Sequence, residues 1–295
     1  MEDTLKLTYT VIDNKYENLK QVLKLEFGIS DRLLLRLKTN QKIFINNKNA
    51  FINDKINLND TISILIDFEE NNSNIAPTKM DLNIIYEDEY MLILNKSAGI
   101  AIHPSCMHFD TSLSNGVKYY FDSIGLKKKI RPVNRLDKDT SGLVIFAKNE
   151  YIQECLVNQM KNKTFKKEYL AILNGTLEKN TGTINAPIAR EENSIIKRCI
   201  REDGDISITH YEVIKNINNN MCLVRFILET GRTHQIRVHS AYIGHSIIGD
   251  TLYGTSSNLM SRQALHSYKI EFIHPISKEK INFEINLPED MIKLI

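Results

Sequence analysis

Two patterns of apolar residues divide the chain. Near the start, apolar residues recur every three or four positions, which predicts a helix whose buried face comprises Leu19, Val22, Leu23 and Phe27. Gly28 is a suitable end for this helix, and Ser30 is a suitable N-cap for a second one. Short strands are predicted at residues 42–46 and 61–66, with turns rich in asparagine between them.

The longer remainder of the chain mixes strand and helix patterns. Apolar runs on either side of residues 87–89 predict a β-hairpin. Further elements are predicted as helices at residues 113–121 and 151–160, and as strands at residues 168–175, 268–272 and 281–285. The segment GRTHQIRVHSAYIGH predicts a turn and a helix, with Thr233 as the N-cap and Gly244 as the end. These patterns indicate the α+β class.

A composition break separates the two parts. Residues 69–79, EENNSNIAPTK, are polar, lack hydrophobic periodicity and include Pro77, which is typical of a linker. We therefore predict a small domain over residues 1–68, a linker over 69–79 and a larger domain over 80–295.

Composition excludes several classes of protein. With 42% hydrophobic and 25% charged residues, the chain of 295 residues is not a disordered one. No apolar run approaches the roughly 18–20 residues of a membrane span, and no secretory signal is visible. The four cysteines, Cys106, Cys155, Cys199 and Cys222, are scattered, so free thiols and a cytoplasmic location are expected.

The charges nearly cancel, with 38 Lys+Arg against 36 Asp+Glu. Taken alone, a net charge of +2 argues against nucleic-acid binding through bulk positive charge. The basic residues are nevertheless unevenly spread, since they concentrate in residues 127–138 and 161–167. If the fold brings these segments together, they form a local basic cleft.

The segment RLDKDTSGLVIFAK holds the first candidate for chemistry. Asp137 precedes a tight polar turn, residues 139–142, which leads into an apolar strand. A carboxylate in such a loop is held at the rim of a core, and the nearby arginines and lysines suit a polyanionic substrate. The alternative is an ordinary surface turn capped by aspartates.

Two further segments strengthen the first interpretation. GRTHQIRVH places Arg232, His234, Gln235 and Arg237 near the start of a helix. An arginine that faces the core from such a helix needs a carboxylate, because a buried unpaired guanidinium is very costly. Asp137 is the natural candidate for that partner. Tyr169 lies in a predicted strand, where its ring can stack on a base.

These motifs resemble the RluA/RluD family of RNA pseudouridine synthases. The resemblance covers residues 82–287 and depends on R-L-D-x-x-T-S-G-L and G-R-T-H-Q-I-R-x-H, about 100 residues apart, together with LNKSAGIAIHP. It implies a catalytic domain built on a mixed, mostly antiparallel β-sheet with flanking helices. It also implies structured RNA as the partner and isomerisation of uridine by base flipping, with no cofactor and no metal.

The resemblance implies a role for each matching residue. Asp137 matches the essential aspartate, Tyr169 the tyrosine that packs on the flipped base and can serve as a general base, and Arg237 the basic partner of the aspartate. Arg135 matches an arginine that enters the RNA helix, and Leu265 an apolar residue that lines the pocket. The first-turn residues Arg232, His234 and Gln235 are expected to contact RNA. One departure is Asn134, where family members usually have histidine.

The first part of the chain resembles the S4 RNA-binding domain over residues 16–66. The resemblance depends on the pattern IS-x-R-x-L…I-x-I-N-N-K…N-L-N-D-T-I and implies RNA contacts from Arg32 and Arg36. Residues 1–70, however, hold ten Lys+Arg and eleven Asp+Glu, a net charge of −1. The alternative is a small folding module whose basic residues are merely solvated.

Other chemistries have weaker support. His234, His239 and His245 do not share one helical face, which argues against zinc. Asp137 and Asp139 lie too close together around a turn for a glycosidase pair, and no nucleotide-binding glycine motif occurs. We therefore expect a monomeric RNA pseudouridine synthase that acts on large-subunit ribosomal RNA, with transfer RNA as an alternative. The competing hypothesis is a non-catalytic RNA-binding or ribosome-assembly factor.

Overall fold

The first part of the chain folds into a small unit of two helices and a four-stranded sheet. A computed structural model describes residues 4–105, 108–218 and 220–295. The elements of this N-terminal unit are β1 (Leu5–Thr10), α1 (Leu19–Leu25), α2 (Asp31–Thr39), β2 (Ile43–Ile45), β3 (Lys48–Asn49) and β4 (Thr61–Ile66). The strands pair antiparallel in the order β1-β4-β2-β3. The Ser30 side chain accepts a hydrogen bond from the Leu33 N–H, which confirms the predicted cap of α2.

The rest of the chain is built around one large sheet, the main sheet. Its ten strands are β5 (Ile84–Glu87), β6 (Met91–Lys96), β7 (Arg131–Pro132), β8 (Ser141–Ala147), β9 (Lys166–Asn174), β10 (Thr181–Asn185), β13 (Ile208–Ile217), β14 (Met221–Leu228), β15 (Leu265–Ile273) and β16 (Lys280–Glu284). A separate two-stranded hairpin comprises β11 (Ile188–Arg190) and β12 (Arg198–Ile200). The helices are α3 (Leu113–Ser123), α4 (Glu150–Lys161), α5 (Gln235–Tyr242) and α6 (Glu289–Ile292).

The main sheet is mixed but mostly antiparallel, as predicted. Eight strands follow the order β10-β13-β14-β9-β15-β8-β6-β5, while β16 pairs with β15 and β7 pairs with β8. The pairing of β8 with β15 is parallel and every other pairing in this sheet is antiparallel. Together with the flanking helices, this arrangement confirms the α+β class.

Strand β8 lies at the centre of the core, because all seven of its residues are buried. One face of β8, with Val144 and Phe146, packs against α3. The opposite face, with Leu143 and Ile145, packs in the cluster that includes Ile152 of α4. Helices on both faces explain why this strand is apolar without alternation.

The predicted helices are present with small differences at their ends. Helices α3 and α4 agree with the predictions to within two residues. The N-cap of α5 is His234 rather than the predicted Thr233, and His234 adopts a left-handed backbone conformation with φ of 59°. Among the helices of the described residues, we find none with the length and apolar character that a bilayer crossing needs.

Strands β8 and β15 meet over only two residue pairs, and a glycine makes that contact possible. Ser141 pairs with His266, and Gly142 with Ser267. Gly142 has a φ of 117°, and a Cβ atom at this position would lie 2.2 Å from the Ser267 carbonyl oxygen. Only glycine allows both the backbone conformation and this close approach. The turn that carries Asp137 is thereby held against β15.

The segment predicted as a linker is packed against the larger unit. Within residues 69–79, Glu70 and Asn72 are buried. The Asn72 side chain donates to the Lys128 carbonyl oxygen at 2.6 Å and accepts from the Ile130 N–H at 3.0 Å. The segment does connect the two units, but it does so as a strap with fixed hydrogen bonds. Its polar side chains bond to protein groups, a feature that composition alone does not distinguish from solvation.

A buried ion network joins the strap to both units. The Glu70 carboxylate accepts two hydrogen bonds from Arg131, at 2.6 and 2.7 Å, and one from Arg36 at 2.7 Å. Arg36 also donates to Glu150 at 2.8 Å, and its guanidinium lies 4.0 Å from the centroid of the Phe68 ring. The guanidinium of Arg36 is therefore engaged within the protein, and its contact with RNA stays a prediction.

The basic run at residues 127–138 serves the same interface. Lys127 pairs with Glu69, Lys128 is buried and donates to the Phe68 carbonyl oxygen, and Arg131 binds the strap. The first part of this run therefore lies at the strap, whereas Arg135, in its second part, is exposed. Proximity in sequence does not by itself place a side chain beside Asp137.

We predict that Glu70→Gln destabilises the protein by about 3–5 kcal/mol, because it leaves the buried guanidinium of Arg131 without its carboxylate. Burial alone would raise the pKa of Glu70, but Arg131 and Arg36 outweigh it and lower this pKa from 4.5 to about 2. The stabilisation is thus complete above pH 4.5 and lost as the pH falls through about 2. Urea unfolding of both proteins between pH 7 and pH 3 measures this.

The matched control for this experiment is Glu69→Gln. Glu69 and its partner Lys127 are 76% and 69% exposed, so we expect a change within about 1 kcal/mol. If Glu70→Gln and Glu69→Gln unfold at the same urea concentration, the buried network does not stabilise the fold.

We predict that Gly142→Ala costs about 3 kcal/mol or more, from a strained backbone and a methyl group forced into the Ser267 carbonyl. Gly125 is the control, because its φ of 73° is also left-handed while nothing lies within 4 Å of an added Cβ. Gly125→Ala should cost only about 1–2 kcal/mol. Equal losses, measured by thermal unfolding, would contradict the steric argument.

Candidate active site

Asp137 lies in the turn between β7 and β8, at the rim of the main sheet. Its carbonyl oxygen accepts from the Thr140 N–H at 3.2 Å, which closes the predicted tight turn. Its side chain is 26% exposed, so the carboxylate borders the protein interior and still meets solvent. Asp137 is thus accessible from one side and fixed from the other.

The expected ion pair between Asp137 and Arg237 is present. The Arg237 Nη1 atom donates to the Asp137 carboxylate at 3.0 Å. The other side of the guanidinium makes a bidentate pair with Asp250, through Nε at 2.7 Å and Nη2 at 2.8 Å. Burial alone would lower the pKa of Arg237, but the two carboxylates raise it. Arg237 is therefore a permanent cation held between two carboxylates.

Sequence reasoning missed Asp250. Its side chain is fully buried, and its carboxylate also accepts from the backbone N–H groups of Leu252 and Tyr253. A signal was present in the sequence, because Asp250 follows Gly249 in a turn, where an aspartate commonly binds backbone N–H groups. Nothing local indicated that both of its oxygens would also bind Arg237.

His234 turns its ring towards the Asp137 carboxylate. Its Nε2 atom lies 3.8 Å from Asp137, and its Nδ1 atom lies 2.8 Å from the Tyr253 hydroxyl. That hydroxyl also accepts from the Arg198 N–H. Burial lowers the pKa of His234, against the opposing influence of the Asp137 charge.

Tyr169 and Leu265 share one face of the sheet next to the turn. Tyr169 on β9 lies opposite Ser267 on β15, and Leu265 lies opposite Ala171. Both side chains are buried in the same hydrophobic cluster, and the register makes them diagonal neighbours. Burial raises the pKa of Tyr169 to about 12, and the charge of Asp137 acts in the same direction. The phenol is therefore protonated at neutral pH.

Two buried cations hold the catalytic turn from behind. Lys96 donates to three carbonyl oxygens, including those of Ile100 and Lys138, at 2.8–2.9 Å. Burial lowers the pKa of Lys96 to about 7, while three acceptors match the three hydrogens of its ammonium form. Arg262 donates to the Asp139 carbonyl oxygen at 3.1 Å. Neither residue was predicted from the sequence, because their partners are backbone atoms of distant segments.

Asn134, the departure from the family pattern, extends the pairing of β8. Its side chain donates to the Leu143 carbonyl oxygen at 2.9 Å and accepts from the Ile145 N–H at 2.9 Å. A carboxamide has the same donor and acceptor as a peptide group, so the Asn134 side chain pairs with β8 as the backbone of a neighbouring strand would. The substitution thus stabilises the loop before Asp137.

The other predicted RNA contacts separate into two groups. Arg135 and Arg232 are exposed beside the site. Gln235, in contrast, is buried, and its carboxamide makes four hydrogen bonds inside the protein, with the Arg232 N–H, Thr230, Ile208 and Thr209. Its polar atoms are fully used, so Gln235 orders the start of α5, which corrects the prediction that it contacts RNA.

The basic residues of the second basic segment, residues 161–167, also fall into two groups. Lys163 pairs with Glu229 and Lys166 with Glu271, both away from Asp137. Lys167 points towards the site, because a Cβ atom at Gly231 would lie 3.1 Å from its Nζ atom. Of these three lysines, Lys167 is therefore the one that reaches the turn before α5.

The histidines considered as zinc ligands have protein partners instead. His239 contacts Thr209 and the Ala186 carbonyl oxygen, and His245 contacts the Asn174 carbonyl oxygen. Over residues 4–105, 108–218 and 220–295, no group of three or more histidine, cysteine, aspartate or glutamate side chains is arranged to hold a metal ion.

Comparison with known proteins agrees with this geometry. Residues 90–242 match the family model described as RNA pseudouridylate synthase. The chain is 38% identical over 271 residues to the "Uncharacterized RNA pseudouridine synthase YjbO" of Bacillus subtilis (strain 168), covering 92% of this chain and 95% of that protein. It is 31% identical to the "Ribosomal large subunit pseudouridine synthase D" of Blochmanniella floridana, covering 92% and 93%.

A solved structure shares the fold of the larger unit. "Human RNA Pseudouridylate Synthase Domain Containing 1" superimposes with a TM-score of 0.59 at 26% sequence identity, over 70% of this chain and 83% of that one. The shared sequence, the shared fold and the ion-paired Asp137 lead to one conclusion. The chain belongs to the RluA/RluD family of RNA pseudouridine synthases and is an isomerase that modifies RNA.

Proposed function

We propose that this enzyme converts specific uridines of structured RNA into pseudouridine, with large-subunit ribosomal RNA as the substrate. The observation that carries the proposal is the partly exposed Asp137 carboxylate, held 3.0 Å from the doubly anchored Arg237. Relatives named as ribosomal large subunit synthases support the choice of RNA, and transfer RNA is the alternative substrate.

In the proposed mechanism, Asp137 acts on the target nucleotide as an ionised carboxylate. One oxygen either bonds covalently to the sugar or base, or stabilises charge while a proton leaves the ribose. The N-glycosidic bond breaks, the uracil rotates, and its C5 atom bonds to the sugar as the C5 proton departs. Because every atom except exchanged protons is retained, the reaction consumes no oxidant and no group donor. Arg237 balances the carboxylate charge throughout.

Tyr169 is proposed to form the wall on which the flipped uracil stacks. Since the phenol is protonated at neutral pH, it meets the substrate as a hydrogen-bond donor. A role as general base first requires loss of that proton, which a pKa of about 12 makes rare at neutral pH. The stacking role is therefore better supported than the basic one.

The uridine is proposed to leave its helix before it reacts. The Asp137 carboxylate borders the protein interior, so a stacked nucleotide is proposed to turn out of its helix to reach it. Arg135 precedes Asp137 by two residues and is exposed, which suits the wedge that fills the vacated space. Arg232 and His234 complete the rim of the site.

The N-terminal unit is proposed to be an S4-like domain that adds RNA contacts. Arg32 is exposed on α2 and supports this role, whereas Arg36 is taken up by the ion network. We further expect a monomer in the cytoplasm, where ribosomal RNA is available. The free thiols of Cys155, Cys199 and Cys222 suit a reducing compartment, and Cys106 lies outside the described residues.

We predict that Asp137→Ala lowers turnover by more than about 1,000-fold while RNA binding is retained, because the variant lacks the reacting carboxylate. Pseudouridine is measured by tritium release from [5-³H]uridine-labelled ribosomal and transfer RNA, with no metal or nucleotide added. Asp139→Ala removes a carboxylate from the same turn and should stay within about tenfold of the wild type. If the wild type and Asp137→Ala both form no pseudouridine on either RNA, the chain acts as an RNA-binding or assembly factor.

We predict that Arg237→Met abolishes turnover and leaves RNA binding largely intact, because it frees both carboxylates from their shared cation. Asp250→Asn should lower kcat by about 10–100-fold with little change in KM, since Asp250 positions Arg237 without touching RNA. Arg237→Lys should recover part of the activity, as an ammonium restores the charge but not the bidentate geometry. A parallel loss of binding and turnover in Arg237→Met would contradict the assigned role.

A further inference from the structure

A second cavity opens beside the active site, between the β11–β12 hairpin and the turn that precedes α5. Its volume is about 450 Å³, and Thr233, next to His234, forms part of its wall. Four arginines line it: Arg135, Arg190, Arg198 and Arg232. None of the catalytic roles described above uses Arg190 or Arg198.

The arginines of this cavity differ from the others in the chain. Of the eleven arginines, seven form an ion pair with a carboxylate, namely Arg36, Arg131, Arg201, Arg225, Arg232, Arg237 and Arg262. Within the described residues, the guanidiniums of the other four, Arg32, Arg135, Arg190 and Arg198, form neither an ion pair nor a hydrogen bond. Three of these four line the cavity, while Arg32 lies on α2 in the N-terminal unit.

The hairpin also holds two of these charges directly opposite each other. Arg190 on β11 and Arg198 on β12 are partners in the antiparallel register, so their side chains emerge on the same face. Like charges in this position are destabilising. An anion between them would remove that repulsion, whereas within the protein alone the pair has only a cost.

Acidic residues do not neutralise the cavity. Asp203 and Asp205 are also in its lining, but Asp203 is paired with Arg201, the residue that follows β12. Asp205 lies 3.8 Å from Arg232. The positive charge of Arg190 and Arg198 therefore remains available to a ligand.

The cavity is connected to the catalytic residues through one hydroxyl group. Tyr253 accepts a hydrogen bond from the Arg198 N–H at 2.8 Å and contacts His234 Nδ1 at 2.8 Å. His234 in turn lies 3.8 Å from Asp137. The positive charge of Arg198 is also among the influences that lower the pKa of His234. The nucleotides on either side of one bound at Asp137 therefore lie within reach of the hairpin.

We propose that this cavity binds backbone phosphates of the RNA next to the target uridine, through the guanidiniums of Arg190 and Arg198. The proposal rests on the proposed function and deepens it, since it assigns contacts that hold the strand while its uridine is turned out. Arginine suits this task because its planar fork binds phosphate oxygens in pairs. Contacts of this kind set position and affinity, and they do not read the base sequence.

The test compares the double variant Arg190→Gln/Arg198→Gln with the control Arg201→Gln, which changes an arginine directly after β12 that is paired with Asp203. Binding to an unmodified transcript of large-subunit ribosomal RNA is measured over a series of salt concentrations. The slope of log affinity against log salt should fall by about 0.7–0.9 for each phosphate that the variant no longer neutralises. Arg201→Gln and the double variant Arg190→Lys/Arg198→Lys should keep the slope of the wild type.

Thermal unfolding separates this role from a structural one. Because the two guanidiniums repel each other, the glutamine variants should unfold at the same temperature as the wild type or above it. An unchanged salt slope, or a lower unfolding temperature, would overturn the proposal, and the single variants give the same test if the double variant does not fold. Absence of pseudouridine with the wild type would overturn the proposed function instead, while the salt slope would still decide on the phosphate contacts.

Discussion

The pairing of the Arg237 guanidinium with the carboxylates of Asp137 and Asp250 is the interaction on which the active site depends. One aspartate, Asp250, is fully buried and fixes the guanidinium, so the remaining N–H group points at Asp137 without freedom to turn away. A buried charge is tolerable only when such pairing is complete. The result is a preorganised cation beside Asp137, which in the proposed mechanism balances the carboxylate charge without rearranging.

Local signals made part of this architecture predictable. The cap at Ser30, the hairpin around residues 87–89 and the pair of Asp137 and Arg237 follow from short patterns or from the cost of burying a charge. Partners that come from distant segments were not predictable. Asp250 is one example, and Lys96, which binds the Lys138 carbonyl oxygen, is another. Such contacts depend on how β8 and β15 meet, and no local pattern encodes that.

The arrangement of charge shows why the net value of +2 says little about function. Lys127, Lys128 and Arg131 precede Asp137 in sequence but bind the strap, where Lys127 pairs with Glu69 and Arg131 with Glu70. Two of the unpaired guanidiniums, those of Arg190 and Arg198, come from a hairpin more than 50 residues further along the chain. Positive charge thus has two separate uses, one in folding and one at the surface.

The ion network around Glu70 has a consequence for any ligand that touches both units. A flexible tether would let the N-terminal unit sample many positions, and its local concentration near the active site would then depend on tether length. Buried ion pairs and the hydrogen bonds of the strap set one separation instead. A ligand whose two contact points match that spacing can bind both units at once, and it gains avidity without a cost for ordering the two units. A ligand with any other spacing gains no avidity.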